Sequence, residues 1–260
     1  MVELFGVDAT RYFVLHEMPF DNDGIITWEL VVERLNSDLA NILGNLVNRT
    51  VSMCNKYFGG TVTKTGDEEA VDKELKATAT AARDKVQAKM DELRVADAIS
   101  EVFTVLRRSN KYIDETEPWV LAKDDAKKGR LGEVLYNLAE AITIAASLLH
   151  SFLPETAEKI VAQLGTQIRG FESLNQFGLY ESGTKVTQQP EILFARLDVK
   201  EVMEKVETIR QAQKAEFEAE QRAMGEAPQE ESEAGIDIEP KEEISYDDSM
   251  KMQYQVGENI

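Results

Sequence analysis

The residues from which a catalytic site would have to be built are few. His16 and His150 are the only histidines and Cys54 is the only cysteine. General acid–base work by histidine needs a partner within hydrogen-bond reach. His16 has Glu17 beside it, but adjacent helix residues point to different faces. His150 lies in the apolar run Leu148-Leu149-His150-Ser151-Phe152, where it reads as a packing residue at a helix end. One cysteine forms neither an intrachain disulfide nor a cysteine-based zinc site, and a reducing cytoplasm is the simplest setting for it. Neither a G-x-x-x-x-G-K-[ST] nor a G-x-G-x-x-G phosphate loop occurs. These residues alone give an enzyme reading very little support.

A different chemistry suits another set. Asn45 and Arg49 are four residues apart, so on a helix they lie one above the other. Asn offers a donor and an acceptor together, and Arg a rigid fork of donors. Trp119 follows Pro118, a residue favoured at the first position of a helix. On an anonymous helix Asn45 and Arg49 would form a solvated face, and Trp119 a core anchor.

The elements that must hold these residues are helical. Glycine (15) and proline (6) are scarce and apolar residues make up 43%, a balance that favours helix. Residues 1–16 read as one short helix. From Trp28 a long apolar stripe runs through Leu35, Leu39, Leu43, Leu46, Val51 and Cys54 to Phe58, and Gly59-Gly60 stops it. Weaker patterns cover 71–90 and 95–113, and the strongest runs from Leu131 to Phe152. Pro154 opens another. Four or five antiparallel helices with short loops make a bundle. The stretch 188–198 reads as an extended piece packed on it. Residues 199–224 form a further helix with Val199, Met203, Val206 and Ile209 on one stripe. No apolar run of about eighteen residues marks a membrane span, and Met1-Val2-Glu3-Leu4 is not the start of a signal peptide.

The charge argues against a generic nucleic-acid binder, with 29 Lys+Arg against 48 Asp+Glu and a net of -19. Residues 201–260 hold 6 basic and 17 acidic side chains, leaving -8 for the rest. Arg107, Arg108, Lys111, Lys123, Lys127, Lys128 and Arg130 are the main basic concentration, open to phosphate but offset by acidic neighbours. Residues 225–243 read as a disordered acidic linker. Residues 244–260 alternate as a strand would.

Four segments together resemble the methionyl-tRNA synthetase family of bacterial type. They are Gly6-Val7-Asp8-Ala9-Thr10-Arg11-Tyr12-Phe13, Asn36-Ser37-Asp38-Leu39-Ala40-Asn41 with Gly44-Asn45-Leu46 and Arg49, Asn110-Lys111-Tyr112-Ile113 with Pro118-Trp119, and Leu148-Leu149 with Phe152-Leu153-Pro154-Glu155-Thr156-Ala157. Their order and spacing agree over about residues 4–165. Residues 244–257 are similar to the opening of an OB-fold tRNA-binding domain. Where the family often has L-F-P-R-[IL], this chain reads Leu193-Phe194-Ala195-Arg196-Leu197, and Ser249 stands where an aromatic is usual.

The resemblance implies an all-α, antiparallel helical bundle of the class Ia anticodon-binding type, with a C-terminal helix and the acidic linker. It divides the chain into 1–27, a remnant of the connection from a catalytic domain; 28–165, the anticodon-binding bundle; 166–198, a return segment; 199–224, a linker helix; 225–243, the linker; and 244–260, a truncated OB-fold start. The family's HIGH and KMSKS motifs are expected upstream of Met1, so this piece should be inactive alone, while the intact enzyme uses ATP with Mg. No cofactor and no metal are expected in this chain. By resemblance, Trp119 stacks on the first anticodon base, a cytosine, and Asn45 and Arg49 hydrogen-bond base edges. Asn36, Asp38 and Asn41 are expected to fix packing instead. The implied partners are methionine tRNA and the catalytic domain of the same polypeptide, with no membrane and a homodimer allowed in the longer protein. The alternative from the residues alone is a helical protein–protein interaction module without RNA binding.

Overall fold

The central helix is mostly apolar and buried on every side, which a helix sustains only when surrounded. In the computed structural model, which describes residues 1–18 and 24–223, α8 (Lys128–Leu149) is buried continuously from Arg130 to Leu149. Around it lie α4 (Asn45–Phe58), α5 (Ala70–Asp91), α6 (Val95–Thr116) and α9 (Pro154–Gln163). The fold is an all-α bundle, as expected. From Asp125 to Leu149 the chain is long and apolar enough to cross a membrane by length and mean composition, although Glu133, Asn137 and Glu140 interrupt it. That apolar window is wholly buried inside the bundle, which makes it a core helix.

An unpaired buried polar group costs its full desolvation, and side chains and loops are brought to several polar residues inside α8, although Glu133 Oε1 and Asn137 Oδ1 have no hydrogen-bond partner among the described residues. Glu140 accepts from Arg169 Nη1 (2.8 Å) and Nη2 (2.7 Å), and from the backbone N–H groups of Gly178 (2.9 Å) and Tyr180 (2.6 Å). Glu133 Oε2 accepts from the N–H groups of Thr65 (3.0 Å) and Gly66 (2.8 Å). Both carboxylates tie loops onto the bundle. The 61–69 loop also pairs Thr61–Val62 (β1) antiparallel with Thr184–Lys185 (β2), a two-residue ladder that periodicity does not reveal.

The expected N-terminal helix is two, α1 (Val2–Phe5) and α2 (Val7–Glu17), because Gly6 adopts φ 83° between them. The segment from Trp28 to Phe58 changes winding twice. It is α-helical over Trp28–Arg34 (α3), π-helical over Leu35–Gly44, and α-helical again in α4. Gly59 ends α4 in the left-handed region at φ 57°, and its N–H donates to Asn55 O. Residues 166–198 return across the bundle without long elements. Leu193, Phe194 and Leu197 pack on the core there, while Ile192 is exposed.

By backbone contacts the chain divides into residues 1–206 and 207–260. The last helix, α10 (Val199–Ala223), begins in the first unit. Its inward residues there are Val202 and Val206, clustered with Val32. Val199 and Met203 are exposed, so the expected stripe is displaced: positions 202 and 206 are i,i+4 and set the docked face. In the second unit, Phe217 is exposed and Gln211 donates to Glu207 (3.0 Å). The linker and the OB-like segment lie outside the described residues.

Candidate nucleic-acid interface

The residue before a proline is disfavoured in the right-handed helical region. Glu117 accordingly takes φ 42° and ends α6, and Pro118 starts the short α7 (Pro118–Leu121). Pro118 is buried and anchors the turn, whereas Trp119 stays 40% exposed beside the exposed Val120. A core anchor would be covered. The indole is displayed at the end of the bundle instead.

Asn45 is exposed at the first residue of α4, and its backbone N–H still donates to Ala40 O, a π-type bond. Arg49, one turn on, is partly exposed, and its Nη2 lies 3.7 Å from Asp114 Oδ1 in the last turn of α6. Arg49 therefore sits against the same helix end from which Glu117 and Trp119 continue. Among the described residues, Trp119 makes no hydrogen bond or ring contact to Asn45 or Arg49. Asp114, which the sequence did not single out as a partner, is the link, and no local pattern could have shown it.

Other motif residues work as clamps. Asp8 Oδ2 accepts from Thr156 N (2.6 Å), placing a carboxylate at the positive N-terminal end of α9. Arg11 donates to Phe152 O (2.8 Å) and Ser151 O (3.1 Å) past the end of α8. Tyr12 donates to Asp38 (2.8 Å), and Asn36 exchanges two bonds with the backbone of Leu197 (2.9 and 2.8 Å). Asn41 is exposed.

The basic concentration divides. Arg130 grips the buried Asp72 through Nη1 (2.8 Å) and Nη2 (2.7 Å), and Tyr112 donates to the same carboxylate (2.6 Å). Burial alone would raise the Asp72 pKa, but bonds from Arg130, Tyr112 and the Glu69 backbone hold it below its ordinary 3.8. Arg108 is buried too and meets Glu115 (2.8 Å) and Glu74 (3.2 Å). Neither arginine is available to phosphate. Arg107, Lys111, Lys123, Lys127 and Lys128 are exposed.

His16 corrects a simple rule. Its ring stacks on Tyr12 at 5.2 Å, and Nδ1 lies 2.6 Å from Glu17 Oε1, although the two residues are neighbours. Glu17 ends α2 and is drawn aside by Arg34 Nε (2.8 Å), which brings it within reach of the ring. His150, just past α8, is 42% exposed and pairs with Glu158 at 3.2 Å. Gly59 and Gly60 donate their N–H groups to Asn55 and Cys54 carbonyls, and no group of three metal-ligating side chains forms among the described residues.

Residues 62–214 match the model of the anticodon binding domain of methionyl tRNA ligase, and residues 1–51 match that of class I tRNA synthetases (M). The chain belongs to the methionyl-tRNA synthetase family. It is 44% identical over 213 residues to the methionine–tRNA ligase of Clostridium acetobutylicum, covering 82% of this chain and 33% of that protein. With the methionine–tRNA ligase of Caldanaerobacter subterraneus it shares 47% over 209 residues, covering 80% and 32%. The apo methionyl-tRNA synthetase of Mycobacterium tuberculosis superposes with a TM-score of 0.71 at 36% identity, covering 76% of this chain and 40% of that one. The chain thus spans about a third of the length of these curated relatives.

Proposed function

We propose that this chain reads the anticodon of methionine tRNA within a methionine–tRNA ligase. Trp119 stacks on the first anticodon base, while Asn45 and Arg49 hydrogen-bond base edges. Anticodon bases are unpaired, so they can be splayed onto an aromatic face and read on their Watson–Crick edges. The carrying observation is the exposed indole on a proline-started turn, beside the helix end that holds Arg49. A stacked base contributes about 1–3 kcal/mol, enough to discriminate on an acidic body.

In the longer protein, the catalytic domain of the same polypeptide would join methionine to this tRNA at the expense of ATP, in the cytoplasm. A homodimer is compatible with this reading. The test measures binding of methionine tRNA against a tRNA altered only in its anticodon. Preference for the first is expected, and Trp119→Ala should remove most of it while helical content stays the same. Equal affinity for both tRNAs would sink the reading.

A further inference from the structure

Leu35, Leu39 and Leu43 are all buried, each four residues after the last. Four residues overshoot one α-turn of 3.6, so in an α-helix this row would drift by about 40° per step. The segment Leu35–Gly44 winds wider, as a π-helix, and its Leu35, Leu39 and Leu43 all lie on the core face. Each extra residue wound into a turn also rotates the downstream helix by about 100° relative to a continuous α-helix. Asn45 stands at the switch itself: its N–H makes the i−5 bond to Ala40, and α4 begins with it. The direction in which Asn45 and Arg49 emerge is therefore set by where the wide winding stops.

Two features fix that point. Asn110 of α6 donates through Nδ2 to Ile42 O in the π-helix (3.0 Å) and to Leu106 O of its own helix (3.1 Å). One turn further along α6, Asp114 meets Arg49. The same helix thus grips the switch on both sides of Asn45. Gly44 is the second feature. A Cβ there would lie 3.1 Å from Leu39 O, the i−5 carbonyl, which is tighter than ordinary contact.

We infer that Asn110 is a positioning residue for anticodon reading, clasping the π-to-α switch so that Asn45 and Arg49 face the bases, with Gly44 leaving the switch room. This rests on the anticodon reading proposed above. In this role Asn110 acts through its bond to the Ile42 carbonyl.

Three variants of the full 260-residue chain test it: Asn110→Leu, neutral and similar in shape but without the donor; Gly44→Ala; and Trp119→Ala as the control for the reading itself. The readouts are thermal midpoint and the affinity ratio between methionine tRNA and a tRNA altered at the first anticodon base. Asn110→Leu and Gly44→Ala should each lower that ratio about tenfold, the scale of one lost base contact. Affinity for the altered tRNA should stay within about twofold. Gly44→Ala should melt close to the parent, alanine's helix propensity offsetting the approach of its Cβ to Leu39 O at 3.1 Å, so it decides the matter even if Asn110→Leu fails to fold. An intact ratio in folded Gly44→Ala overturns the positioning role. Should Trp119→Ala alone lower the ratio, the anticodon reading survives and only the clasp fails. An unchanged ratio in Trp119→Ala removes both.

Discussion

Arg49 Nη2 and Asp114 Oδ1 face each other at 3.7 Å across the gap between α4 and the end of α6. Asp114 is 69% exposed on its side chain, so water screens the pair. Its worth is in direction, because it holds one end of a flexible side chain beside the turn that carries Trp119. Asp114→Asn should change folding stability by less than about 1 kcal/mol, measured by urea unfolding. It should also raise affinity for every tRNA, since a carboxylate near the bound nucleic acid is removed. A variant that melts sharply lower would show the pair to be structural.

The Asp72–Arg130 pair behaves differently, because both side chains are nearly inaccessible. Removing one partner of a buried pair leaves the other charge uncompensated, at a cost of about 3–5 kcal/mol. Arg130→Met should lose that much near neutral pH. The Asp72 carboxyl has its pKa lowered in the folded state from 3.8. Its stabilisation is therefore present above 3.8 and lost as pH falls through the lower folded value. The stability gap between parent and Arg130→Met should narrow in that acid window. A gap of constant size would show that an ionised pair is not responsible.

Cys54 is fully buried on α4, and burial pushes its thiol up to about 12. The thiolate is the reactive form. A thiol-specific reagent near neutral pH should therefore leave native protein unlabelled and react only as fast as the chain opens. Rapid labelling of the native state would place Cys54 in contact with solvent.

Much of the bundle was legible because apolar residues recur at helical steps and α8 is mostly apolar. Asn45, Arg49 and Trp119 were legible as types and spacings, and their exposure suits the role proposed for them. The π-helix was not. Leu35, Leu39 and Leu43 fit the apolar face of an α-helix and of a wider one alike, and only the backbone bonding, such as Asn45 N–H to Ala40 O, separates the two. Arg130 and Arg108 read as surface charge because Asp72, and Glu74 in addition to Arg108's nearer partner Glu115, sit on α5, far away in the chain. Glu140 offered a usable signal, a charge within an apolar run, but its partner Arg169 lies on a loop without periodicity.

Salt dependence separates base reading from phosphate attraction. A protein that neutralises Z phosphates loses affinity with a slope of about −0.7Z in log–log form for single strands. Near the proposed site, Arg108 and Arg130 are committed internally. Lys111 and Lys128 are paired with Glu115 and Asp125, at 3.4 and 2.8 Å. Lys123 and Lys127 are exposed without an ion pair among the described residues. About two phosphate contacts correspond to a slope near −1.4. Binding measured across a salt series should therefore fall gently, with the anticodon preference retained at high salt because stacking and base-edge bonds involve no counterion release. A slope steeper than about −4, with the preference vanishing as salt rises, would mean that phosphate attraction holds the tRNA and that Trp119 does not choose it.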